Sequence, residues 1–473
     1  MKIRNPRTGK ADYEIAPLGV EAVADEAKRL RDAQKAWVTK TPEERGAILL
    51  QWADAIEAHL GAIIPALTAD TGRGGISKIE AAGVPGQIRR WAAMAPQLMA
   101  DGQPVDQPTS VPTITTSTRL VPYGLVGVIS PWNFPMTLAL IDAIPALMAG
   151  SAVLVKPSEV TPRFIKPLIE TVQKIPELAA VLSIIEGDGA TGAAMVDHVD
   201  YICFTGSVAT GRKVGEAAAK AFIPASLELG GKDPMIVLAS AEPEKAAATA
   251  LRASIVNTGQ ACQSIERVYV AQEIADPFLT SLVAQAEAVQ LNHPDINQGH
   301  IGPFIFEKQA QIAQSQIDDA VKKGAELLSG GKVEKLDGGL YLRPTILTNV
   351  TSSMTVISDE NFGPVIPVRV FDDVDEAVMM ANHSQFGLSA AVIGGSTQEA
   401  ETVASRLNAG AISINDGSLT SMVWEAEKSS FGYSGLGASR MGASGLMRFF
   451  RKQALIRQSG EAARIEAFAE ENF

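Results

Sequence analysis

The run Gly124–Lys156, GLVGVISPWNFPMTLALIDAIPALMAGSAVLVK, decides the fold class. LVGVI, 125–129, is a short apolar run closed by a Ser-Pro turn, which reads as a buried strand. A helical stretch near 136–149 follows and stops at Gly150, and AVLVK predicts a strand over 152–156. Further strands are expected near 182–185 and 201–204, with helices near 162–174, 191–196 and 208–219. Strand and helix in alternation mark a parallel sheet with crossover helices, an α/β fold. Met136–Val155 is also apolar enough and about long enough to suggest a bilayer span. Asp142, Pro145, Gly150 and Ser151 interrupt it, so a broken helix followed by a buried strand explains it better.

Working outward, residues 20–60 and about 76–100 have helical periodicity, with Thr41-Pro42-Glu43-Glu44 as a helix start. Val111–Val121 is Thr-rich and alternating, and reads as an exposed hairpin or extension whose edge needs a partner. Beyond Glu228 a second alternation begins: helix 242–257, strand 266–270, helices 274–289 and 307–323, strand 363–370. The tail after Gly445 is polar and charged. At 473 residues the chain has room for two or three domains. A net charge of −12 argues against nucleic acid or an anionic membrane as partner. Two cysteines exclude a disulfide framework and suit a reducing, cytoplasmic compartment. The five scattered histidines give no ligand-spaced cluster, so no metal site is expected. The N-terminus, MKIRNPRTGK, lacks a secretory apolar core.

Asn257–Ser264, NTGQACQS, puts Cys262 in a small, polar, Gly-containing turn. A thiol is a nucleophile as thiolate and where a substrate reaches it, and Gly259 and Ala261 leave room for a carbonyl. In ASLELGGKDP, Glu228 ends a strand-like run before two glycines, a place for a carboxylate base. Each also fits a bland role, Cys262 as a buried small hydrophobe and Glu228 as a strand-end charge. KPSEVTP, 156–162, puts Lys156 and Glu159 at a strand's carboxyl end, where they suit ribose hydroxyls. FTGSVATG, 204–211, opens a helix after a strand, and its backbone N–H groups attract phosphate near Gly206. It is not the GxGxxG fingerprint. Cys203 belongs to the preceding strand and reads as core.

VISPWNF (128–134), KPSEVTP, FTGSVATG, LELGGK, GQAC and ENFGP (360–364) together resemble the signature set of the NAD(P)-dependent aldehyde dehydrogenase superfamily, in order and over nearly the whole chain. The resemblance implies a Rossmann-like cofactor domain (1–104 and 122–227), a second α/β catalytic domain (228–430), and a small β oligomerisation arm with its tail (105–121 and 446–473). It implies Cys262 as nucleophile, Glu228 as the base that hydrolyses a thioester, and Asn133 as oxyanion donor. Lys156 and Glu159 would hold the adenosine ribose, and Glu360 and Phe362 the nicotinamide end. Ser130, Trp132, Ser158, Gly206, Ser207, Leu229 and Gly230 would complete the cofactor site. The carboxylate of Glu159 disfavours a 2′-phosphate, so NAD is expected, with NADP left open. The substrate is then an aldehyde, and the assembly a homodimer or homotetramer. Glu228 argues against the CoA-acylating members, and the retained set argues against an idle protein of the same fold. The stretch SSFGYSGLGASRMGASG departs from the family's usual FGG-x-K-x-SG-x-G run, which puts its glycines near the active-site mouth in doubt. Phe134, Thr137, Leu138, Ile141, Ala261, Gln263 and Leu419–Trp424 would line the substrate entrance. They are mostly apolar, with no arginine evident, so an aromatic or medium aliphatic aldehyde is expected and an acid semialdehyde disfavoured.

Overall fold

The computed structural model describes residues 1–472, so residue 473 of the expected tail lies outside the described residues. A six-stranded sheet is ordered Gly435–Leu436, Ala225–Glu228, Tyr201–Thr205, Leu125–Ile129, Ala152–Lys156, Leu182–Ile184. Its neighbours are parallel except the first pair, where Gly435 faces Glu228. Numbered along the chain, the five parallel strands run 5-4-1-2-3. The order therefore reverses between Leu125–Ile129 and Tyr201–Thr205, the switch point at which open α/β sheets bind ligands. Their side chains are almost all buried, as expected of a sheet covered by helices on both faces.

The second sheet has seven strands, ordered Glu326–Ser329, Thr345–Thr348, Val365–Phe371, Ile265–Ala271, Asp233–Val237, Ser389–Ile393, Ala411–Ile414. All neighbours are parallel except the first pair. Separate apolar cores lie on its faces. The chain crosses from the first sheet to the second through Leu229–Lys232, directly after Glu228.

One expectation needs correction, one alternative is decided, and one helix is added. The helix near 136–149 is two helices, Pro135–Leu140 and Ala143–Ala149. Pro145 cannot donate to the carbonyl four residues back, at Ile141, and its ring crowds that carbonyl, so the helix breaks there. Of the two readings of the Thr-rich segment, hairpin or extension, the structure has the extension. Its strand, Ile114–Pro122, pairs antiparallel along its full length with Phe450–Gln458, and with Gln107–Pro108 only at two positions. The tail thus contributes a nine-residue strand whose side chains, Phe450 apart, are all exposed. Period-2 burial, the usual sequence signal of a strand, is absent from such an element. The helix Leu60–Thr71 was not anticipated. Among the described residues no single helix is long and apolar enough to cross a membrane. One pair bent by 69°, Pro42–Glu57 with Leu60–Thr71, passes on length and composition, but its Leu49, Trp52, Ile56, Ile63 and Leu67 are buried in the core.

Candidate active site

A cavity of about 750 Å³ opens at the switch point and runs between the two sheets. At one end it is walled by Lys156, Ser158 and Glu159, and at the other by Asn133, Glu228 and Cys262. Ser130, Trp132, Gly206, Ser207, Leu229, Gly230, Glu360 and Phe362 line it between. The volume suits a large organic ligand. Lys213 of the helix Val208–Ala221 and Phe306, Lys308 and Gln309 at the start of Glu307–Lys322 also line it. No motif pointed to these four, because they arrive from helices whose exposed faces read as ordinary solvated surface.

At the far end the Lys156 ammonium donates to Gly187 O at 3.0 Å and to Glu159 Oε2 at 3.1 Å. Ser207 caps the helix Val208–Ala221, its Oγ accepting from Thr210 N at 3.4 Å. The N-terminal N–H groups of that helix therefore meet the cavity, where they attract an anion. A Cβ on Gly206 would stand 2.6 Å from the Phe204 ring, and one on Gly230 2.6 Å from Glu360 Oε1. The buried Ser130 Oγ has no hydrogen-bond partner. A bare backbone floor, a helix N-terminus, a fixed lysine and an orphaned hydroxyl together fit a dinucleotide.

The turn leading to Cys262 is strained. Asn257, Thr258 and Gly259 are all left-handed, at φ 62°, 60° and 68°. A β-branched residue there is an outlier that only the surroundings can enforce. Thr258 Oγ1 donates to Gly302 O at 3.1 Å and accepts from Gly302 N at 3.0 Å. A Cβ on Gly259 would lie 2.2 Å from Gly363 O, so this turn is pressed against the ENFGP loop. The Gly259→Ala protein is therefore expected to lose at least about 2 kcal/mol of stability, through strain at a left-handed glycine and displacement of that loop. A melting temperature unchanged within a degree would contradict this packing.

Asn133 is anchored on both sides. Its Nδ2 donates to Gln260 O at 3.0 Å, and its carbonyl accepts from Arg73 Nη2 at 3.0 Å and from Asn257 Nδ2 at 3.2 Å. Asn257 opens the NTGQACQS stretch but was given no role there, and Arg73 lies in no motif. The second N–H of the Asn133 amide remains to serve a ligand. A Cβ on Gly231 would meet the Cys262 carbonyl at 2.7 Å, so the segment following Glu228 threads between Glu360 and the Cys262 turn.

Burial pushes the Cys262 thiol up to about 12, and Asp233, Glu360 and Glu228 push the same way against Lys428, the cation that lowers it. The resting thiol is therefore protonated at neutral pH, and a base or a bound cation must generate the thiolate. Iodoacetamide should accordingly modify Cys262 of the ligand-free protein slowly at pH 7, and about tenfold faster per pH unit from 7 to 9. Fast, pH-independent labelling of the Cys262 peptide by mass spectrometry would contradict this. Cys203 is wholly buried, and burial raises its thiol further, so it serves as an internal unreactive control.

Glu360 is pushed up to about 8, first by burial and then by Glu266, against a hydrogen bond from Gly231 N at 3.1 Å. The loop carrying it is held by Glu266, whose oxygens accept from Asn361 N at 2.8 Å and Phe362 N at 2.9 Å. Lys232 neutralises that carboxylate at 2.8 Å. Phe362, left-handed at φ 49°, turns its ring edge-on to Trp132 at 5.4 Å, and Trp132 meets Phe306 at 5.9 Å. Among the described residues no cluster of His, Cys, Asp and Glu is arranged to hold a metal ion.

Known proteins agree with this architecture. A family model described as the aldehyde dehydrogenase family matches residues 1–455. A Mycobacterium tuberculosis (strain H37Rv) protein named "Putative succinate-semialdehyde dehydrogenase", with NADP(+) in its name, is 35% identical over 455 residues, covering 95% of this chain and 86% of its own. The structure of a "Putative Aldehyde Dehydrogenase", PutA from Anabaena variabilis, superimposes with a TM-score of 0.96 at 52% identity, over 98% of both chains. Betaine aldehyde dehydrogenase from Staphylococcus aureus, solved with NAD+, superimposes at 0.91 with 28% identity, over 98% of this chain and 92% of that one. The chain belongs to the aldehyde dehydrogenase family, NAD(P)-dependent oxidoreductases that act on aldehydes.

Proposed function

We propose that this chain oxidises an aldehyde to the free carboxylic acid through a covalent thioester on Cys262. One observation carries the reading: a single cavity is lined both by Cys262, Glu228 and Asn133 and by Lys156, Ser158 and Glu159. In the first step the Cys262 sulfur bonds to the carbonyl carbon, and the thiol proton passes to a base. The oxyanion formed is met by the free N–H of Asn133 and the Cys262 backbone N–H, donors already fixed before charge develops. NAD(P)+, bound in the cavity, supplies the hydride acceptor. Loss of the aldehyde hydrogen as hydride leaves the thioester. Glu228 then takes a proton from water as its oxygen bonds to the acyl carbon, the C–S bond breaks, and acid and thiol are released.

Ser130, Trp132, Gly206, Ser207, Leu229, Gly230, Glu360 and Phe362 are the residues proposed to hold the cofactor, with Lys156 and Glu159 on the adenosine ribose. The Glu159 carboxylate favours NAD. The M. tuberculosis relative's name favours NADP. The proposed division remains a cofactor domain over 1–104 and 122–227 and a catalytic domain over 228–430. The exposed edge of Phe450–Gln458 supports assembly as a homodimer or homotetramer.

For the substrate, the apolar entrance residues support an aromatic or medium aliphatic aldehyde. The name of the M. tuberculosis relative supports a second reading, an aldehyde with a distal carboxylate. Initial rates over neutral aromatic, neutral aliphatic and carboxylate-bearing aldehydes, with each nicotinamide cofactor, separate the readings by kcat/KM. No absorbance of reduced nicotinamide with any aldehyde would end the proposal. Turnover requiring CoA and yielding an acyl-CoA would replace it with the acylating reaction.

A further inference from the structure

The carboxylate of Glu228 is enclosed by the C-terminal segment. Ser430 Oγ donates to Glu228 Oε2 at 3.3 Å, and Lys428 Nζ stands 4.0 Å from the same oxygen. Arg440 Nε lies 3.9 Å from Oε1. The two cationic side chains are only 6% and 9% exposed. Gly435 pairs with Glu228 in the backbone ladder, so the segment carrying both cations is registered on the strand that carries the carboxylate.

Arg440 is paired with Asp142 yet keeps one nitrogen free, and Lys428 has no other ion-pair partner among the described residues. Arg440 Nη2 spans Asp142 Oδ2 at 3.1 Å and Thr205 Oγ1 at 2.6 Å, but Asp142 already has Arg448 as a second partner. That leaves Arg440 Nε buried with no hydrogen-bond partner, next to Glu228. The ammonium of Lys428 makes no hydrogen bond among the described residues, and Glu228 is the carboxylate within ion-pair reach. Burying a lysine beside a reaction centre is costly unless a charge there needs it.

We propose that Lys428 and Arg440 are positioning residues that keep Glu228 ionised and aimed during release of the acyl group. The proposal rests on the reading of Glu228 as the hydrolytic base. Glu360, Asp233, Cys262 and Cys203 are the other titratable groups around this centre, with Asp142 behind Arg440, and Lys428 and Arg440 are the cations that face Glu228. An opposite charge within about 4–6 Å moves a titration by one unit or more.

The test compares Lys428→Met, Lys428→Arg and Glu228→Gln proteins by rapid mixing with NAD(P)+ and aldehyde. Lys428→Met is expected to keep the burst amplitude of one reduced nicotinamide per active site while forming it more slowly, since Lys428 also lowers the Cys262 thiol. Its steady-state rate should fall about tenfold or more, and the acid limb of that rate should move up by roughly one pH unit. Lys428→Arg should restore both. Arg440→Lys should show an intermediate shift, with fluorescence titration of cofactor binding confirming an intact cleft. An unmoved acid limb in Lys428→Met, or a loss that Lys428→Arg does not restore, overturns the clamp. If Glu228→Gln itself turns over normally, it is the base assignment that fails. A stalled Glu228→Gln beside a normal Lys428→Met sinks the clamp alone.

Discussion

The Cys262→Ala protein is expected to reduce NAD(P)+ with aldehyde on the order of 10⁴-fold more slowly than the parent chain, a loss of about 5 kcal/mol of transition-state stabilisation. Nothing else in the cavity replaces the sulfur. Cys203, the other thiol, is wholly buried in the strand Tyr201–Thr205. The fold should survive, because Cys262 is half-buried at the cavity wall and its turn is held by Thr258, Gly259 and Gln260. Circular dichroism and cofactor titration would confirm this. Initial-rate absorbance that matched the parent would remove the nucleophile from the account.

The Glu228→Gln protein is expected to separate the two halves of the reaction. Its oxidation half needs the sulfur and the oxyanion donors, so one equivalent of reduced nicotinamide should form per active site. Hydrolysis needs a proton acceptor, which glutamine is not, so the steady state should fall by about 10²–10⁴-fold. The amide keeps the shape of the carboxylate beside Ser430 and the registration on Gly435, so loss through misfolding is not expected. Stopped-flow absorbance reads both phases. A slow first turnover without a burst would assign Glu228 to thiol activation instead of hydrolysis.

Much of the first sheet was legible because its three central strands are fully buried, short apolar runs punctuated by Gly, Pro and Ser. Leu125–Ile129 and Ala152–Lys156 fall where the pattern places them. The strand Phe450–Gln458 was not legible, because it is held by backbone pairing to Ile114–Pro122 and leaves almost no side chain in a core. The break at Ile141 was written in Pro145, four residues later, but an apolar stretch hides such a kink. At the site, the residues within motifs could be named from their strings. Those supplied across long separations could not. Arg73 reaches Asn133 from 60 residues away, and Ser430 reaches Glu228 from 202. Arg440 lies in the very stretch that departs from the family's pattern, so the resemblance said nothing of its partner. Only the fold, by pairing Gly435 with Glu228, brings that stretch to the carboxylate.

The most direct test traps the intermediate itself. Glu228→Gln protein mixed with NAD(P)+ and an aldehyde substrate, quenched in acid within the first turnover and digested, should yield a Cys262 peptide heavier by the acyl group. The Cys203 peptide should be unmodified. An unmodified Cys262 peptide in a sample that has reduced one equivalent of cofactor, or the acyl group on any other residue, would contradict covalent catalysis at Cys262.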